Sequence, residues 1–339
     1  MTVRVGLIGY GAAGATFHAP LILGVQRLEI VGVATSRALP HALAPATRFN
    51  DPQALLVEPS IDLVVIATPN ETHFPLAAAA LRAGKHVVVD KPVALNPCEA
   101  DELIRLADEA GRKLTVFHNR RWDGDFQTVQ RVIGRLGRVS LFEAHWDRFR
   151  PAIKPGWREA PREGSGLLND LGPHLIDQAL QLFGLPEAVT GDLAIQRPEA
   201  AVDDYFSVTL HYGRMRAVLS ASTLIVNPRP RFALHGRGGS FVKYGLDPQE
   251  AALKAGALPL DTGFGEDEPR FHGTFTAPDG SAESIATQHG RYVDFYEAVA
   301  DAVEADRTMP VDPVDARDGL RIIALARQSA AEGRRLPFA

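Results

Sequence analysis

Val3-Arg4-Val5-Gly6-Leu7-Ile8-Gly9-Tyr10-Gly11-Ala12-Ala13-Gly14, near the start of the chain, joins a short apolar run to glycines spaced Gly-x-Gly-x-x-Gly. The run is rich in Val, Leu and Ile and ends in glycine, as a buried strand does. The glycines then divide the work. Gly9 allows a tight turn, Gly11 lets the backbone approach a pyrophosphate, and Gly14 lets the following helix pack closely on the strand. Ala12 lies in the same turn, where the helix N-terminus faces an anion. At a strand–helix junction this spacing reads as a dinucleotide-binding turn.

Moving outward, the first 120 residues alternate short apolar runs with helical stretches. Val3–Ile8, Glu29–Ala34, Leu63–Ala67, His86–Val89 and Leu114–Phe117 read as buried strands; Gly14–Leu28, Phe74–Ala83 and Pro97–Ala110 read as helices. Pro20 should kink or restart the first helix. Pro97–Ala110 is well punctuated, with Asn96 as N-cap, Pro97 at the first position, Glu99 at the capping-box position and Gly111 after the end. Continuous apolar strands separated by helices imply a parallel sheet covered on both faces. After Arg121 the texture changes. Arg138–Trp146, Ala188–Leu193, Asp203–Tyr212, Met215–Leu224, Arg231–Gly236 and Ser240–Tyr244 include alternating runs typical of antiparallel strands. Asp125–Leu136, Tyr292–Ala305 and Pro313–Glu332 read as helical, Ser165–Phe183 contains a helix ending near Gly184, and Asp247–Arg270 reads as a surface loop. The expected fold is α/β: a Rossmann-type parallel-sheet domain over residues 1–120, then an α+β domain with a mostly antiparallel open sheet over residues 121–339. Whether the C-terminal helix packs back on the first domain stays open.

The chain has 339 residues, 45% hydrophobic and 23% charged, which suits a globular protein of two domains. A net charge of −5 without a basic block argues against nucleic acid as a partner. The one cysteine, Cys98, allows neither an internal disulfide nor a multi-cysteine zinc site, and no metal is expected. No apolar run approaches the roughly 20 residues of a membrane span, and no signal peptide is read at the N-terminus, so the expected location is the cytoplasm.

Several segments carry candidate chemistry. The second strand ends Ala34-Thr35-Ser36-Arg37, with no carboxylate where an NAD site usually places one. Ser36 and Arg37 suit a 2′-phosphate instead, so NADP is expected over NAD. Thr68-Pro69-Asn70 follows another strand, where dinucleotides lie; His73 either lines that path or simply begins the next helix. Asp90-Lys91-Pro92 ends a further strand, and a lysine there can stabilise a developing alkoxide or simply be a surface charge. In Asp170-Leu171-Gly172-Pro173-His174-Leu175-Ile176-Asp177, Asp170, His174 and Asp177 share one helix face, and a carboxylate beside a histidine makes either an acid–base pair or a structural cap. Pro173 suggests a helix start near Asp170. Arg120, Trp157 and Arg158 suit a hydroxyl-rich ligand, or structural pairing.

Together these marks resemble the Gfo/Idh/MocA oxidoreductases. The likeness lies in Gly9–Gly14, Thr68-Pro69, His73, Gly84-Lys85-His86-Val87, Asp90-Lys91-Pro92 and Asp170-Leu171-Gly172-Pro173-His174. Phe117–Asp123, Asp147–Pro151, Trp157–Glu159 and Val242–Asp247 resemble the subgroup that includes an NADP-dependent scyllo-inositol dehydrogenase. The resemblance implies an NAD(P)-dependent dehydrogenase or reductase of a cyclic polyol or sugar. It implies Lys91, Asp170 and His174 as the catalytic set, and Asp177 as a substrate contact. The cofactor contacts would come from Gly9, Gly11, Ala12, Gly14, Ser36, Arg37, Thr68, Pro69, Asn70, His73, Asp90 and Lys91. It also implies a homodimer or homotetramer through the open sheet. One departure stands out: Asp90 occupies the place where the family usually has Glu. Two other readings share the fold, a nicotinamide-assisted lyase or glycosidase and a non-catalytic dinucleotide sensor.

Overall fold

A computed structural model describes residues 2–154, 156 and 159–338. Trp157 and Arg158 lie outside the described residues. The chain forms two compact units. The first comprises Met1–Trp122, Pro248–Gly265 and Arg291–Arg317, and the second Asp123–Asp247, Glu266–Gly290 and Asp318–Ala339. The chain thus leaves the first unit after Trp122, and two later segments rejoin it. The helices are α1 (Ala19–Leu23), α2 (Pro52–Leu56), α3 (His73–Arg82), α4 (Pro97–Ala110), α5 (Gly124–Val132), α6 (Leu167–Phe183), α7 (Gln249–Lys254), α8 (Val293–Glu304) and α9 (Pro313–Glu332).

The first unit is built on six parallel strands: β1 (Val3–Ile8), β2 (Leu28–Ala34), β3 (Thr47–Phe49), β4 (Leu63–Ile66), β5 (His86–Asp90) and β6 (Leu114–Phe117). Their spatial order is β3-β2-β1-β4-β5-β6. Val5, Leu7, Val33, Leu63–Ile66, Val87–Val89 and Val116 are buried, as continuous apolar strands covered on both faces must be. The order reverses direction beside β1, which is where a doubly wound sheet opens a crevice. After the glycine turn the helix runs as a π-turn, Gly14–His18, before α1 begins at Ala19 with Pro20 in its first turn. His18 and Ala19 both keep helical backbone angles, so the chain passes Pro20 without a break and only its winding changes, the proline having no N–H to donate to the turn before it.

The second unit carries a nine-stranded sheet. Its strands are β7 (Val139–Asp147), β8 (Ala188–Ala194), β9 (Tyr205–Tyr212), β10 (Met215–Ser222), β11 (Phe232–Gly236), β12 (Gly239–Lys243), β13 (Gly273–Thr276), β14 (Ala282–Ile285) and β15 (Leu336–Pro337). The order is β14-β13-β12-β11-β7-β10-β9-β8-β15. Among these pairings β7–β10 is parallel and the rest antiparallel. Leu168, Leu171, Leu175 and Ala179 of α6, Phe126 and Val129 of α5, and Ile322 and Ala326 of α9 pack with Phe142, Phe206, Leu219 and Leu234 of the sheet. Gly191 leaves room for the α9 backbone; a Cβ there would stand 2.1 Å from the Ala326 carbonyl oxygen.

Two expectations need correction. α6 begins at Leu167, not near Asp170, so Pro173 lies inside the helix. The start is set from a distance: Asp203 accepts from Leu168 N–H through its carboxylate (2.7 Å) and from Leu167 N–H through its carbonyl (2.8 Å). An interior proline costs about 3 kcal/mol, a cost this packed helix bears. Asp247–Arg270 is not a surface loop either. It contains α7, and Gln249 is fully buried, donating to the Trp122 carbonyl (3.1 Å) and accepting from Tyr292 N–H (2.7 Å).

Candidate active site

In the first unit, strand register gathers the candidate segments. Ile8 pairs with Ala34 on one side and Ile66 on the other, and Ile66 pairs in turn with Val89. The chain therefore leaves β2, β1, β4 and β5 at one level, and Ser36-Arg37, Gly9–Gly14, Thr68-Pro69 and Asp90-Lys91 emerge from the same sheet edge.

The glycine turn fits a dinucleotide. Gly9 has φ +98°, and a Cβ there would lie 2.4 Å from the Ala67 carbonyl oxygen. A Cβ on Gly14 would lie 2.0 Å from the Gly9 carbonyl oxygen, so the helix is seated directly on the turn. At Gly11, by contrast, a Cβ would meet nothing within 4 Å. The two outer glycines are demanded by close packing and the middle one faces open space, the arrangement in which a pyrophosphate can approach the backbone. Ala12, Ser36 and Arg37 are exposed. The Arg37 backbone N–H donates to Thr35 Oγ1 (3.1 Å), which bends the chain after β2.

The turn after β4 is closed by Thr72, whose hydroxyl donates to the Pro69 carbonyl (2.7 Å) and accepts from the Thr68 hydroxyl (2.6 Å). Asn70 is buried behind it. His73 is buried too, and its ring nitrogens stand 2.6 Å from the Pro92 carbonyl oxygen and 2.9 Å from the Thr68 carbonyl oxygen. His73 thus begins α3 and also ties the β4 turn to the β5 turn. At the end of β5, Lys91 N–H donates to Asp90 Oδ1 (2.8 Å), and the Lys91–Pro92 peptide is cis. Burial pushes the Asp90 carboxyl up, but His18, His73 and Lys91 outweigh it and hold it below its ordinary range. Lys85, part of the resembling motif, serves the fold, because its ammonium donates to the carbonyls of Glu58 and Ile61 (2.8 and 2.7 Å).

Arg120 is buried in the first unit, with Tyr292 Oη at 2.5 Å and an ion pair to Glu250. Burial alone would raise the Glu250 carboxyl, but Arg120 and Lys254 bring it down to about 2. The guanidinium expected at a substrate is thus held by α7 and the segment before α8.

In the second unit, α6 presents Asp170, His174 and Asp177 at i, i+4, i+7. His174 and Asp177 are buried and Asp170 is half-buried. The Trp146 ring lies against His174, centroids 5.9 Å apart and planes 31° apart. Arg148 brings a guanidinium nitrogen to 3.9 Å from Asp170 Oδ2. Beneath them, Arg231 donates to Gln178 Oε1 (2.7 Å), lies 5.1 Å from the Trp146 centroid and stands 3.7 Å from the fully buried Asp125 carboxylate. The group is mixed in charge: Arg148 and Asp170 are half-buried, whereas Trp146 belongs to the unit's core. Elsewhere in the unit, burial with Arg229 and Arg231 nearby lowers the His145 imidazole to about 4, against the pull of Asp147.

Sequence reasoning did not single out His18, Tyr296, Gln178, Arg231 or Asp203. His18 leaves a local sign, a lone polar residue between Phe17 and Ala19 where the helix turns inward. The others owe their roles to partners far along the chain.

Both units have known counterparts. A family profile described as oxidoreductase family, NAD-binding Rossmann fold, matches residues 3–118; its companion, the C-terminal alpha/beta domain, matches residues 130–338. The uncharacterized oxidoreductase YdgJ of Escherichia coli (strain K12) is 46% identical over 97% of this chain and 96% of its own length. The scyllo-inositol 2-dehydrogenase (NADP(+)) IolW of Bacillus subtilis (strain 168) is 38% identical over 98% of this chain and 95% of its own. The solved structure of yvaA from Bacillus subtilis matches with TM-score 0.97 and 37% identity, covering 100% of this chain and 99% of the other.

Proposed function

On the premise that this chain belongs to the Gfo/Idh/MocA family of NAD(P)-dependent oxidoreductases, we propose that it moves a hydride between a secondary alcohol of a cyclic polyol or sugar and NADP. One observation carries the reading: the open backbone at Gly11 and the Asp90-Lys91 turn leave a single sheet edge at one level. A lysine at the end of β5 is then suited to chemistry at a dinucleotide cradled after β1.

When bound, NADP supplies the hydride acceptor or donor. The chain's own residues hold it and manage the proton. In this reading Gly9, Gly11, Ala12 and Gly14 receive the pyrophosphate, with Thr68, Pro69 and Asn70 along the next turn. His174 takes the hydroxyl proton as the alcohol is oxidised and returns it when a ketone is reduced. The Asp170 carboxylate supports the charged imidazole, and the Lys91 ammonium stabilises negative charge on the substrate oxygen. Asp177 and Arg120 are assigned to the substrate side.

The preference for NADP rests on Ser36 and Arg37, both exposed after β2, with no carboxylate to repel a 2′-phosphate. The relative IolW, named for NADP(+), supports it. Assembly through the open face of the nine-stranded sheet, as a dimer or tetramer, is part of the same reading and is checked by light scattering of the purified chain.

The test is a spectrophotometric panel of inositols, aldoses and their keto forms with NADP⁺ and NADPH. Reduction of NADP⁺ by at least one inositol is expected, with NAD⁺ slower. No turnover with any cyclic polyol, or a clear preference for NAD⁺, would overturn the corresponding part.

A further inference from the structure

His18 stands at the last position of the π-turn, with none of its surface exposed, and the proposed mechanism gives it no role. Its Nδ1 lies 2.5 Å from Tyr296 Oη on α8. Its Nε2 is buried, makes no hydrogen bond among the described residues, and faces Asp90 Oδ2 at 3.7 Å. The other oxygen of that carboxylate accepts from the backbone N–H of Lys91. Phe117 packs on the ring from one side, centroids 4.4 Å apart, and confines it.

We propose that Tyr296 and His18 form a positioning relay for Lys91: the tyrosine hydroxyl orients the histidine ring, the ring orients the Asp90 carboxylate, and the carboxylate holds the Lys91 backbone. The proton inventory supports this order. A carboxylate only accepts, so the nitrogen facing Asp90 carries the proton when the two approach. In a neutral ring Nδ1 is then the acceptor, and its partner has to be a donor. Tyr296 meets that need, because burial, and then the negative Asp90, keep its hydroxyl protonated well above the usual phenol range. Fixing a tautomer through the far nitrogen is how an orienting group governs a histidine. The groups that favour the ionised form of Asp90 are His18, His73 and Lys91.

This inference rests on the reading of Lys91 above, so its test includes a measurement that needs neither substrate nor cofactor. The protein is labelled with ¹³C-aspartate, and the Asp90 carboxyl signal is assigned by its loss in Asp90→Asn. In His18→Asn, which keeps a group toward Tyr296 but none toward Asp90, Asp90 should titrate at higher pH than in the native chain. His18→Gln, which restores a donor near the Nε2 position, should bring it back. Tyr296→Phe should move it the same way by less. With an active substrate, His18→Asn should lower kcat about tenfold or more at unchanged NADP Kd, with recovery in His18→Gln. An Asp90 titration unmoved in both His18→Asn and Tyr296→Phe overturns the relay, as does a shifted titration with kcat intact. Should His18→Asn fail to fold, Tyr296→Phe carries the same decision. If Asp90 moves as expected but no polyol is ever turned over, the relay to Asp90 stands and the assigned reaction falls.

Discussion

The candidate residues of the first unit are held by strand ends, those of the second by one helix. Around β1, β4 and β5, backbone register brings the turns level, and short bonds from His73, Thr72 and Asp90 fix each turn locally. On α6, spacing alone puts Asp170, His174 and Asp177 on one face; the helix as a whole is set by Asp203, itself paired with Arg327 of α9 at 3.1 Å. A strand-end group is thus positioned by its neighbours in the sheet, and a helix-borne group by whatever anchors the helix. Substitutions in the two regions should fail in different ways.

The largest effects should come from the reacting groups. Lys91→Ala and His174→Ala should each lower kcat by about a hundredfold or more, with NADP affinity within a few-fold of native, as measured by steady-state kinetics and cofactor fluorescence titration. Unchanged turnover in both would remove the contrast, because neither region would then contain the chemistry.

Next comes the helix anchor. Asp203→Ala should destabilise the fold by about 2 kcal/mol, at the upper end for a lost cap because an ion pair goes with it, as read by urea denaturation. Gly166→Ala should also destabilise, since Gly166 has φ +91° and an added Cβ would lie 2.3 Å from Asp203 Oδ1. A cap substitution that leaves both stability and kcat untouched would show that α6 is held some other way. Smaller again, Arg37→Ala should weaken NADP about tenfold, roughly 1.4 kcal/mol, while sparing NAD.

The smallest effect lies on β7. His145 titrates near 4 when folded against 6.5 as its ordinary value. Above 6.5 both states keep it neutral and it contributes nothing to pH dependence. As pH falls from 6.5 toward 4, the unfolded chain takes up a proton that the folded chain refuses, so stability drops. Near pH 6 the loss should be about 1 kcal/mol, visible as a Tm slope that His145→Gln flattens.

This contrast also marks how far local pattern reaches. Helix α4 was legible in full, because Asn96 caps it by accepting from Glu99 N–H, Pro97 starts it and Gly111 ends it at φ +59°, all within the helix's own neighbourhood. The glycine turn was legible for the same reason. What escaped was decided by distant partners. Gln249 is buried because Trp122 and Tyr292 use both ends of its amide. α6 starts at Leu167 because of a carboxylate 35 residues further along the chain from Leu168. The pairing of Arg120 with Glu250 of α7 could not be read while that stretch passed for a loop.

The most direct measurement follows the hydride itself. An inositol deuterated at its carbinol carbons is incubated with NADP⁺ and the native chain, and the nicotinamide is examined by NMR. The account predicts released NADPH carrying one deuterium at C4, matched by an equal amount of ketone. Product formed without net reduction of the nicotinamide, or reduction without the label, would contradict it.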